Sequence, residues 1–171
     1  MRKLFTVIFF LVGLSLSTYA QTMTPQQIYK LANRDAEKYV KAGWKPAAKM
    51  PSIDRQFNNA YLREMYDGKS QFIIGSSTRR GRIYQRVHSE AMNNARKDVL
   101  DKIESEVSSE IIIKIKSEES YTRQQIVANT ISSARQKLRK TEPIVDIFRE
   151  LKDGEVEVEV RIAYELLESN N

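Results

Sequence analysis

Arg79, Arg80 and Arg82 crowd the stretch FIIGSSTRRGRIYQ, residues 72–85, with Ser76, Ser77 and Thr78 before them and Arg86 just beyond. An apolar triplet, a glycine, hydroxyls and cations ahead of a helix make up the composition of a phosphate-binding loop. The nucleotide-binding type needs G-x-x-x-x-G-K-[ST], so that successive N–H groups cradle the oxygens while lysine and a hydroxyl handle charge and magnesium. Here Gly75 and Gly81 stand one residue too far apart, and Arg82-Ile83 follows where Lys-[ST] belongs. The dinucleotide fingerprint fails as well, because no third glycine follows. What remains is a helix N-terminus, with its partial positive charge, beside Arg79, Arg80, Arg82 and Arg86. These four are candidate anion-binding residues on a loop. A solvated basic loop accounts for the same residues, and arginine at a helix start is electrostatically unfavourable.

Other chemistry has less to work with. His88 is the only histidine and there is no cysteine, so a zinc-type site has no ligand set. A serine triad lacks both G-x-S-x-G and a second histidine. Glu104 with Glu106, and Glu118 with Glu119, read as charge runs, and Glu155, Glu157 and Glu159 as the outer face of an alternating strand. No catalytic residue, metal site or cofactor is expected. The enzymatic alternative is a small hydrolase, which requires carboxylates converging on a cleft.

The elements that must position these residues follow from periodicity. Thr24-Pro25-Gln26-Gln27 is a capping box with proline at the first helical position. Ile28, Leu31, Ala32, Ala36, Tyr39 and Val40 then recur at helical spacing until Gly43. WKPAAKMP reads as an extended connector, because each X-Pro bond disfavours helical angles in the preceding residue, and Trp44 within it needs a packing site. Ser52 caps a second helix along Ile53, Phe57, Ala60, Tyr61 and Met65, ending at Asp67-Gly68. A strand QFII precedes the arginine loop. The longest stripe comes after it: Tyr84, Val87, Ala91, Ala95, Val99 and Ile103, with alanines that allow close approach to a sheet. From Val107 the period shifts towards two, so Ile111, Ile113 and Ile115 are expected in a strand. A further helix over about 121–140 turns Val127, Thr130, Ile131, Ala134 and Leu138 inward.

IVDIFRELK and EVEVEVRIAYEL flank Asp153-Gly154, the dipeptide favoured in a two-residue type I′ hairpin turn. That turn opposes Val156, Val158, Val160 and Ile162 to Leu151, Arg149, Ile147 and Val145 on an apolar face. The other face is charged, so helices are expected to cover one side of the sheet. Two residues misfit this register: Arg149 falls on the apolar face, and Phe148 on the wet one, where it is a candidate partner surface.

Residues 1–20 carry Arg2 and Lys3, an apolar run from Leu4 to Leu14, and Thr18-Tyr19-Ala20 in the pattern signal peptidase cuts. A Sec signal peptide cleaved after Ala20 implies a periplasmic or secreted protein with no transmembrane segment after processing. Cleavage removes Arg2 and Lys3, and the net charge falls from +6 to +4. That mild excess favours contact with anionic surfaces without implying a nucleic-acid partner. The lack of cysteine excludes disulfides, thiolate catalysis and a lipidated cysteine.

The order from Phe72 onward is a glycine-bearing strand, a long helix with Ala91, Ala95 and Leu100 closing on Ile103, then VSSE, a polar helix, IVDIFRE and EVEVRIAYEL. Over residues 72–166 this resembles the LPP20 lipoprotein family of bacterial envelope proteins. The resemblance implies a curved antiparallel sheet against helices, residence in the envelope and no catalytic site to carry over. This chain lacks the lipidated cysteine that the family name implies.

The expectation is an α+β protein: a two-layer, largely antiparallel four-stranded sheet in βαβαββ order on two helices, with two extra N-terminal helices. Its segments are a signal peptide (1–20), an N-terminal helical segment (21–69) and an α+β domain (70–168). The expected role is structural or binding within the envelope, with an envelope protein or anionic component as partner.

Overall fold

A computed structural model of the chain describes residues 23–65, 71–114 and 120–166. The expected signal peptide, and the Asp67-Gly68 helix stop, lie outside the described residues. The elements in order are α1 (Pro25–Lys41), β1 (Lys45–Pro46), α2 (Ile53–Met65), β2 (Gln71–Gly81), α3 (Tyr84–Lys114), α4 (Ser120–Leu138), β3 (Val145–Glu150) and β4 (Val156–Leu166). The strands form one antiparallel sheet in the order β1-β3-β4-β2. This is the expected α+β class.

Helix α1 begins as its sequence dictates. Thr24 Oγ1 accepts from the Gln27 N–H, and Gln27 Oε1 accepts from the Thr24 N–H at 2.9 Å. Two orphan donors are thereby satisfied.

Three segments depart from expectation. Residues 75–81 are strand, not loop, because β2 pairs with β4 without interruption from Gln71 to Gly81. Hydroxyls and arginines suit a strand that has water beside it. Residues 111–114 are helical, part of α3. Val107 and Ile111 continue the four-residue spacing of Val99 and Ile103, and extending a formed helix costs less than starting a new element. The fourth strand is instead Lys45–Pro46, inside the connector, where it pairs with Phe148 and Ile147.

The hairpin is shifted by one residue from the expected register. Its turn comprises Lys152, Asp153 and Gly154: Gly154 N–H donates to Leu151 O (3.1 Å) and Leu151 N–H to Glu155 O (2.8 Å). Among these only Gly154 has positive φ, at 78°, the arrangement of a three-residue hairpin with a glycine bulge. Phe148 therefore opposes Val158, and Arg149 opposes Glu157. Both misfits resolve. Arg149 Nε donates to Glu157 Oε2 at 2.7 Å, and its guanidinium lies 5.0 Å from the buried Trp44 ring.

Each sheet face has its own core. On one, Val158, Val160, Ile162 and Ile73 pack with Val87, Ala91, Ala95, Val99 and Ile103 of α3 and Ala134 and Leu138 of α4. On the other, Val145, Ile147 and Ala163 pack with Ala32, Trp44, Phe57 and Ala60 from the α1–α2 segment. The sheet on α3 and α4 is the expected pair of layers, and the N-terminal helices cover the face expected to be wet.

Contact between β2 and α3 is close because Gly75 has no side chain. A Cβ there would sit inside the van der Waals envelopes of Ala95 O and Val99 Cγ2, and 2.8 Å from Val99 N. Alpha-carbon methylation through Gly75→Ala should cost about 2–4 kcal/mol by overpacking. Gly154→Ala, strained only in φ, should cost about 1 kcal/mol. Urea denaturation of both variants checks the ranking.

Candidate functional site

The arginine cluster folds into the corner where β2 hands over to α3. Arg79 and Arg80 end the strand, Arg82 and Ile83 form the turn, and Arg86 lies in the first helical turn. A depression of about 270 Å³ gathers Arg80, Arg82, Ile83, Arg86 and Glu90. Arg79 does not line it, and the four arginines are not equivalent. Arg80 forms ion pairs with Asp153 and Glu155 of the hairpin turn, and Arg86 Nε donates to Glu90 Oε1 at 3.0 Å. The carboxylates around Arg80, Glu155 first, hold its pKa above the ordinary arginine value. Arg79 and Arg82 are exposed and pair with no carboxylate among the described residues. Ile83, next to Arg82, is 62% exposed. The corner thus presents two uncompensated cations beside an uncovered aliphatic side chain, and α3 has no acidic residue in its first turn.

Phe148 is not placed on a partner surface. The one-residue shift turns it toward α3, where it packs edge-on to Tyr84 at 5.3 Å and against the main core.

Sequence reasoning missed two polar pairs. His88 Nε2 lies 2.8 Å from Asp146 Oδ2, joining α3 to β3, and Asp146 is 6% exposed. The signal for it was a lone aspartate inside IVDIF. Tyr84 stacks on the His88 ring at 5.7 Å, and burial, followed by the Asp146 charge, raises its phenol above the ordinary range.

The second pair lies on the opposite face. Arg161 donates through Nε and Nη2 to Glu159 Oε1, at 3.0 and 2.8 Å, with the two side chains 16% and 9% exposed. The guanidinium stacks 4.9 Å from the Phe57 ring. Burial works against the Arg161 charge, but the Glu159 carboxylate, joined by Tyr39 and Tyr61, leaves its pKa raised. Beside this pair, burial and then Glu159 push Tyr39 up to about 12. Tyr61 is raised by burial and by its hydrogen bond to Asp35 Oδ2 at 2.7 Å. Glu159 was read as wet because alternation alone does not distinguish a water-facing row from one beneath a second layer.

Among the described residues no group of three or more His, Cys, Asp or Glu could hold a metal ion, and no helix is long and apolar enough to cross a membrane.

Glu159→Gln should destabilise the fold by about 2 kcal/mol, since it leaves Arg161 buried without its counter-charge. Glu157→Gln, at a wetter pair, should cost under about 1 kcal/mol. Thermal unfolding of both distinguishes them. The raised Tyr39 pKa has a definite sign. The unfolded chain ionises this phenol near the ordinary value of 10, and the folded chain near 12. Its contribution to stability is therefore intact below pH 10 and is lost as pH rises towards 12. Denaturation across that window should show a shallower fall for Tyr39→Phe than for the parent.

A scan against protein-family models and searches of curated proteins and of solved structures return no match.

Proposed function

We propose that this chain is a non-catalytic binding protein of the cell envelope that meets an anionic lipid surface at the β2–α3 corner. The observation that carries the reading is the pairing of uncompensated Arg79 and Arg82 with Ile83, which follows Arg82 and is 62% exposed. Cations draw a protein to a negatively charged leaflet at about 1 kcal/mol per Arg near the surface. An aliphatic side chain entering the headgroup region adds a contribution that salt does not screen. The net positive charge of the chain acts in the same direction over longer range. Residence in the envelope rests on the signal-like pattern of residues 1–20 and on the resemblance over residues 72–166.

Co-sedimentation with vesicles tests the proposal. Vesicles rich in phosphatidylglycerol should retain the protein at low salt, and pure phosphatidylcholine vesicles should not. Arg79→Glu combined with Arg82→Glu should weaken binding by at least about tenfold, given roughly 1 kcal/mol for each charge removed and more for each reversed. Ile83→Ser should weaken it while preserving the salt dependence. Retention that ignores both salt and the double substitution, or binding to soluble polyphosphate with no vesicle binding at all, would rule out a lipid surface as the partner.

A further inference from the structure

We infer that a cleft on the sheet face beneath α1 and α2 is a binding site for a neutral, hydroxyl-rich ligand of saccharide type. The cleft holds about 330 Å³, within the range of small-molecule sites. Its floor is a square of polar residues set by register: Thr78 opposes Glu159, and Ser76 opposes Arg161. Directly opposed residues share a face, so two hydroxyls, a carboxylate and a guanidinium point the same way. Tyr39 and Lys102 complete the wall.

This square borders an apolar patch on the same face, with the wetter Arg149–Glu157 pair further along it. Val145, Ile147, Ala163 and Ile74 surround it and pack with the N-terminal helices. A buried ion pair adds little stability compared with apolar residues of similar volume, so folding alone does not explain Glu159 and Arg161 at this position. A preorganised carboxylate and guanidinium at the margin of a polar cleft are a recognition device. Each presents a planar, two-pronged set of acceptors or donors, which matches neighbouring hydroxyls on a sugar ring.

Charge selects the ligand class. Arg161 is bonded to Glu159, and Lys102 Nζ donates to Asp98 Oδ2 at 2.9 Å and to Ile74 O at 2.7 Å. Both lining cations are thus neutralised within the protein, while Glu64 adds a negative charge to the lining. An anion finds no spare counter-charge in the cleft, unlike at the β2–α3 corner. A neutral polyol can exchange hydrogen bonds with the hydroxyls, carboxylates and cations of the lining. The site is also held rigidly, because Asp98 Oδ2 accepts from the Ser76 N–H at 2.9 Å. Ligand binding therefore requires little ordering of the backbone.

Saturation-transfer NMR of the purified protein with millimolar glucose, N-acetylglucosamine and its β-1,4-linked dimer tests the assignment, with glycerol 3-phosphate as the anionic comparator. At least one saccharide should show transfer. Thr78→Val combined with Ser76→Ala, both at exposed positions, should weaken its binding by about tenfold through loss of two hydrogen-bonding hydroxyls. Arg79→Glu with Arg82→Glu should leave saccharide binding unchanged, which separates this site from the vesicle-binding corner. No transfer from any of the three saccharides would overturn the proposal. So would transfer that is unaltered in a Thr78→Val, Ser76→Ala variant with parental thermal unfolding, or a preference for glycerol 3-phosphate.

Discussion

The three-residue turn at Lys152–Gly154 fixes the side on which every residue of β3 lies relative to β4. Because strand side chains alternate with a period of two, one residue more or less in that turn moves a whole row to the other face. With Gly154 at positive φ, Phe148 joins Val158 and Val160 over α3, while Val145 and Ile147 point away from it. An apolar row facing away from α3 and α4 needs a second cover, and α1 and α2 supply it. The N-terminal helices are thus a requirement of the register. The same constraint encloses Glu159 and Arg161, which would otherwise stand in water.

Much of the secondary structure was legible locally. The Thr24 capping box, the alanine stripe of α3 and the inward valines of β4 each depend on neighbours within a few residues, and each lies where the spacing places it. The turn type was legible only in part. Asp153-Gly154 marks the reversal, but whether one or both central residues adopt positive φ depends on the loop length, which the dipeptide does not specify. Ile111 and Ile113 alternate over too short a span to outweigh a helix already running from Tyr84.

The candidate site was legible as a cluster and not as an electrostatic arrangement. Arg80 is neutralised by Asp153 and Glu155, which lie 73 and 75 positions later in the chain; only the pairing of β2 with β4 brings them together. Arg79, one residue away, projects from the other face of the strand and has no such partner among the described residues. Period-two geometry thus divides adjacent arginines into one that staples the hairpin and one left to the solvent. Both arginines remain in water, and the difference between them is contact: Arg80 has carboxylates at its guanidinium, whereas an unpaired charge acts only over the roughly 8–10 Å that physiological salt allows.

A sheet with two free margins invites other chains to pair with it. Here β1 is only Lys45–Pro46, and its proline has no N–H to offer. At the far margin Asp98 and Lys102 occupy the Ser76 N–H and the Ile74 carbonyl. Both borders are therefore obstructed by the protein itself, one by brevity and the other by side chains reaching down from a helix. The sheet thereby resists edge-to-edge addition of other chains, the first step of fibril growth, with no disulfide required to enforce it.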